Sequence, residues 1–146
     1  MGRALELADL AAGEGEVPVG AVVYDTATGR VLGEGRNGRE CERQPWQHAE
    51  FVAIQRACET IGDWRLNDAS LAVTLEPCPM CAGLIVNARV GRVIYGAPDP
   101  KAGAVDTLYE LLSDTRLNHR CEVVAGVDAD ASAEKLRAFF RSLRRL

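Results

Sequence analysis

Helix-like and strand-like runs alternate along nearly the whole of this chain, and few architectures accommodate that order. Arg3 to Gly13 is rich in Ala and Leu and reads as a helix. Val17 to Tyr24 is strand-like, Asp25 to Gly29 supplies turn residues, and Arg30 to Gly35 reads as a second strand, so the pair predicts a hairpin. A polar loop runs from Asn37 to Gln47. His48 to Thr60 is helix-like, and Leu71 to Leu75 is a short apolar strand that Pro77 ends. Cys78 to Ala88 has a helical composition, Val90 to Tyr95 is strand-like, Asp106 to Leu112 reads as helix, Glu122 to Ala125 as extended, and Ala131 to Leu146 as helix. The order α-β-β-α-β-α-β-α-β-α predicts a layered α/β domain around a central sheet. The first two strands should pair antiparallel, and the later ones, joined through helices, are free to run parallel.

The 146 residues are enough for one domain with a proper core, expected to span 1–146. Apolar residues at 47% and charged residues at 26% are ordinary for a soluble globular protein. No apolar run approaches the ~18–20 residues that cross a bilayer, so no membrane association is expected. Acidic residues interrupt the first ten positions, which lack a signal-peptide core, and a cytoplasmic location is expected. The five cysteines, an odd number, do not suit a disulfide framework. Only Cys78 and Cys81 are clustered. Cys41, Cys58 and Cys121 are expected to be small buried apolar side chains. A net charge of -4 and a pI near 5.2 argue against a general nucleic-acid binder. Arg137, Arg141, Arg144 and Arg145 form either a local basic patch or a solvated helix face.

The segments that carry chemistry are His48-Ala49-Glu50 and Pro77-Cys78-Pro79-Met80-Cys81. Zinc favours nitrogen and thiolate ligands in a tetrahedral arrangement. Cys78 and Cys81 are three apart, about one helical turn, so both sulfurs can face one ion. Both sit at the expected start of a helix, where the dipole favours thiolate. With His48 they make three protein ligands and leave a position for water, the pattern of a catalytic site. Glu50, two residues past His48, is placed to move protons between the water that zinc activates and a substrate. Deamination needs that pairing of a nucleophile at the amino-bearing carbon with an acid for the ring nitrogen and the departing ammonia.

Taken singly, these parts say little. A lone Cys-x-x-Cys also serves as a redox pair or a structural zinc knuckle, and a lone His-x-Glu is uninformative. A structural site would want a fourth ligand, and His119 and the scattered cysteines have no suitable local spacing.

His-x-Glu followed by Pro-Cys-x-x-Cys is the zinc-deaminase signature. Together with Glu16 to Val22, Thr74 to Gly83, Arg89 to Ala97, Leu117 to Arg120 and Phe139 to Arg141, it makes the chain resemble bacterial tRNA adenosine deaminases over nearly its whole length. The resemblance implies a three-layer α/β/α, cytidine deaminase-like fold with a central five-stranded mixed sheet. It also implies a homodimer, one Zn2+ per subunit, and conversion of adenosine to inosine at the wobble position of a tRNA anticodon stem-loop. His48, Cys78 and Cys81 match the family's ligands and Glu50 its proton shuttle. Asn37 matches the asparagine that binds the target base, although it also suits a turn, and Val17-Pro18 matches the pocket wall. Asp99 and Lys101 match a loop near the flanking nucleotides, although Asp99 is also a natural turn former. Phe139, Phe140 and Arg141 match a C-terminal helix beside the RNA, although both phenylalanines also suit a core.

One stretch departs from the family pattern. Where the family has Asp-Pro-Thr-Ala before His-Ala-Glu, this chain has Gln44-Pro45-Trp46-Gln47. The change bears on substrate choice and leaves the zinc chemistry intact. Trp46 is expected to point outward or into a subunit contact. The alternatives to a tRNA enzyme are a deaminase of a free base or nucleoside (guanine, cytosine or a related amino-heterocycle) and a non-catalytic zinc-stabilised binding module. An intact Glu50 speaks against the last.

Overall fold

The computed structural model describes Met1–Leu146. The elements in chain order are α1 (Gly2–Gly13), β1 (Gly20–Asp25), β2 (Val31–Arg36), α2 (Arg39–Glu42), α3 (Ala49–Ile61), β3 (Ala69–Leu75), α4 (Pro79–Asn87), β4 (Arg92–Ala97), β5 (Glu122–Val124) and α5 (Ala129–Arg144). The five strands form one sheet in the order β2-β1-β3-β4-β5. β1 is antiparallel to β2 and to β3, whereas β3, β4 and β5 run parallel. The mixed sheet and the antiparallel hairpin agree with the expectation from sequence.

Strand alternation divides the helices between the two faces. Val19, just before β1, and Ala21 and Val23 on it join the main core with Ile54 of α3, Ile85 of α4 and Val73 of β3. Val22 points the other way, onto Ala4 and Leu7 of α1. The alanine-rich faces of α1 and α3 come very close to the sheet. A Cβ at Gly20 would lie 2.0 Å from the Ala4 carbonyl oxygen, and one at Gly35 2.3 Å from the Ala49 carbonyl oxygen. Only glycine allows helix and strand backbones to approach so far. On the α1 side, α5 packs over β4, and a Cβ at Gly96 would meet Ser132. No helix is long and apolar enough to cross a membrane.

Three expectations fail. Asp106 to Leu112 is not helical but a series of turns, because the backbone amides of Val105, Asp106 and Thr107 are taken by the Glu76 carboxylate. The loop from Asn37 to Gln47 contains the short helix α2. Of the three cysteines expected to be buried, Cys121 is, Cys58 is half-buried and Cys41 is exposed. Cys41 sits on α2, a single turn with no buried residue.

Candidate active site

Two helix N-termini meet at one point. His48 is the residue that begins α3 and Cys78 the residue that begins α4, each in extended conformation, with Pro79 occupying the first helical position. Proline suits that position because its missing N–H would have no intrahelical partner. Cys81 follows one turn on and is fully buried. The Nδ1 atom of His48 lies 3.5 Å from the sulfur of Cys78 and 3.5 Å from that of Cys81. All three donor atoms fall within 4.8 Å of one another. Zinc–nitrogen bonds of about 2.0–2.1 Å and zinc–sulfur bonds of about 2.3 Å at tetrahedral angles put N and S about 3.5 Å apart. The donor set therefore fits a tetrahedral ion, with one position left for a non-protein ligand.

The protonation of the three groups points the same way. Hydrogen bonding from the Cys81 thiol, and then from His48, draws the Cys78 thiol down to about 4 despite its burial. Cys81 moves upward, because its hydrogen bond to Cys78 and its burial both hold the proton. His48 is raised, chiefly by its hydrogen bond with Cys78. The cluster is a set of donors sharing protons that a cation would displace.

Glu50 lies in the first turn of α3, two residues past His48, and is 4% exposed. Burial pushes its carboxyl up to about 7. That value lies near operating pH, where a group can both take and return a proton.

His48, Glu50 and Cys78 line a cavity of about 230 Å³. This is smaller than the roughly 300–1,000 Å³ of drug-sized pockets and suits one planar ring system. It lies beyond the carboxyl ends of β3 and β4, where open α/β sheets bind ligands. Asn37 is in the wall, 9% exposed. Its amide is oriented by its partners: Nδ2 donates to the Val17 carbonyl, and Oδ1 accepts from the Arg39 N–H. One amide hydrogen and one lone pair remain for a ligand.

Val17 and Val19 line the cavity, whereas Pro18 is buried behind them. Its contribution is the tight turn in which the Val19 N–H donates to the Val17 carbonyl at 2.9 Å. Asp99 lines the cavity and also caps its own turn, accepting from the N–H groups of Lys101 and Ala102. Lys101 is exposed and does not line the cavity. Phe139, Phe140 and Arg141 lie on α5, away from the lining. Phe139 is half-buried and Phe140 is 46% exposed, so neither is a core residue. Glu134 pairs with Arg137 and Arg141, which reduces the free charge of the basic helix face. Sequence reasoning missed Arg39 and Glu76, both of which line the cavity. The signal for Glu76 was a carboxylate between an apolar strand and Pro77.

The model of the MafB19-like deaminases matches residues 1–144. A tRNA-specific adenosine deaminase from Bacillus subtilis is 47% identical over 99% of this chain and 89% of its own length. The chain belongs to the tRNA-specific adenosine deaminase family. A Haemophilus influenzae member of the family is 43% identical over 99% of this chain and 83% of its own. A solved structure from studies of A-to-I editing by tRNA:A34 deaminases superposes with a TM-score of 0.86 at 42% identity, covering 91% of this chain and 95% of the other. A guanine deaminase from Nitrosomonas europaea shares the fold, with a TM-score of 0.83 at 21% identity over 94% of this chain and 81% of the other. The chain is thus a hydrolytic deaminase with the deaminase fold.

Proposed function

We propose that this chain converts adenosine to inosine at the wobble position of a tRNA anticodon, using one zinc ion held by His48, Cys78 and Cys81, with Glu50 as the proton carrier. The observation that carries the reading is the convergence of the three donor atoms beside a buried, proton-retaining Glu50 at a cavity of the size of one planar base. Family membership at 43–47% identity directs it to tRNA rather than to a free base.

Zinc held by three protein ligands supplies Lewis acidity that makes water nucleophilic near neutral pH. Glu50 accepts a proton on its carboxylate and delivers it to the ring nitrogen beside the amino-bearing carbon. It then carries a second proton to the amino group, which leaves as ammonia. One water is consumed, and the ring keeps its oxygen as inosine. Asn37 orients the base edge with its remaining donor and acceptor, while Val17 and Val19 pack against the ring. Asp99 and Lys101 would contact the flanking nucleotides, and Phe139, Phe140 and Arg141 would serve as a stacking and phosphate-binding strip on α5.

The domain spans 1–146, and the active unit is a homodimer acting in the cytoplasm. A separate apolar groove between α3 and α4 supports the dimer. It is lined by Trp46, Phe51, Ile54, Trp64 and Leu84, with Trp46 46% and Trp64 53% exposed. Exposed aromatic patches of this kind mark subunit contacts. Trp46 faces this groove rather than the catalytic cavity, which fits the outward placement expected of it.

The deciding experiment incubates the protein with an adenosine-containing anticodon stem-loop and, separately, with free guanine, cytosine and nucleosides. Ammonia and inosine from the stem-loop are expected. A protein inactive on the stem-loop but active on a free base would overturn the reading.

A further inference from the structure

Glu76 is 2% exposed and bonded to no cation. It follows β3 and stands two residues before Cys78. Its own N–H donates to the Ala97 carbonyl, so its backbone is tied to the end of β4. Its carboxylate is surrounded by donors from one irregular segment. Oε1 accepts from the Asp99 N–H at 3.1 Å and from the Thr107 hydroxyl. Oε2 accepts from the N–H groups of Val105, Asp106 and Thr107 at 3.1, 2.9 and 3.1 Å. Gly103 lies flat against the same carboxylate, and a Cβ there would fall 2.5 Å from all three of its terminal atoms. The Ala104 N–H donates to the Pro77 carbonyl, joining the segment to the metal-ligand loop a second time.

Convergent backbone N–H groups make an anion site, and here the chain fills it with its own side chain. Residues 99–107 have no helix or strand of their own to hold them, so this one carboxylate organises them. Asp99 and Ala102, from that segment, form part of the cavity wall.

We propose that Glu76 is a positioning residue for substrate: it holds the 99–107 wall at a fixed height above the Cys78 loop, so that the base and its flanking nucleotides meet a preformed surface. The inference rests on the tRNA reading above, and it concerns a residue that neither binds metal nor carries protons. A glutamine at 76 keeps the shape, but its NH2 group cannot accept hydrogen bonds and would point at N–H donors. The wall would shift, and displacements of about 1 Å at such surfaces cost up to ~100-fold.

The test uses the full-length, zinc-loaded protein with Glu76→Gln, Gly103→Ala and their combination, read by steady-state kinetics on the stem-loop, zinc content and circular dichroism. The expected result is a kcat/KM lowered ~10–100-fold with most of the loss in KM rather than kcat, one zinc per chain retained, and a double variant no worse than the weaker single one. A merely structural role lowers the melting temperature without this split. Thr107→Val removes a single donor and keeps the test available if Glu76→Gln does not fold. Its expected effect is a smaller rise in KM. Folded, zinc-bound variants with the parental KM would overturn the proposal, as would a loss confined to kcat or to zinc content. A parent protein inactive on the stem-loop would instead sink the tRNA reading.

Discussion

Glu50 illustrates how one position in a helix sets a residue's chemistry. It sits in the first turn of α3, buried beside the His48, Cys78 and Cys81 cluster, and burial holds its proton to about 7. Glu50→Ala should keep the fold and the zinc but lose about 10²–10⁴-fold or more in deamination, the range typical of a general acid–base group. Zinc content and ammonia release measured on the same sample check this, and loss of zinc would make Glu50 a ligand instead. The proposed zinc ligands allow a second test. Removing zinc by chelation should abolish activity and lower the melting temperature, and readdition should restore both. At free zinc 100-fold above its Kd, the stabilisation lost is about 2.7 kcal/mol. A melting temperature indifferent to chelation would count against a zinc site. The His-x-Glu and Cys-x-x-Cys spacings were readable because each pair lies within one turn of a helix start. For Glu76 only its place between an apolar strand and Pro77 was visible; its role was not, because its partners are 23 to 31 residues away and most of their donors are backbone amides that any residue carries.

At the scale of elements, the site depends on how closely α3 lies on β2. Gly33 and Gly35 leave the strand bare under the helix. A Cβ at Gly35 would stand 2.3 Å from the Ala49 carbonyl oxygen and 2.7 Å from the Ala53 nitrogen. Ala49 lies between His48 and Glu50, so any lifting of the helix start moves both side chains. Gly35→Ala should destabilise the fold by about 1–3 kcal/mol, the usual cost of overpacking, and reduce kcat as well. Thermal melts and steady-state kinetics check the two effects, and a variant with the parental melting temperature would show that the helix has slack. The long elements were legible because apolar periodicity and the turn residues between them agree. The helix expected over Asp106 to Leu112 failed because tertiary hydrogen bonds to Glu76 outweigh a weak local preference. The single turn of α2 buries no residue, so no apolar pattern announced it.

At the scale of the whole molecule, the apolar groove between α3 and α4 is the feature a monomer explains least. Trp46 and Trp64 together leave two large indoles open to water. The guanidinium of Arg65 lies 4.4 Å from the centre of the Trp64 ring and that of Arg89 6.0 Å, so cations already dress part of its surface. Trp46 has no such cover. It stands on the segment that leads into His48, yet it faces the groove rather than the cavity. Its size should therefore act on subunit contact and leave base recognition alone. The double change Trp46→Thr with Gln47→Ala separates these roles. The expected outcome is weaker association, read by light scattering over a dilution series, with the stem-loop still preferred to free guanine and cytosine. Activity per chain should fall only at concentrations where the dimer dissociates. A variant that remains fully dimeric but changes its substrate ranking would place Trp46 in base recognition and would detach the groove from the dimer.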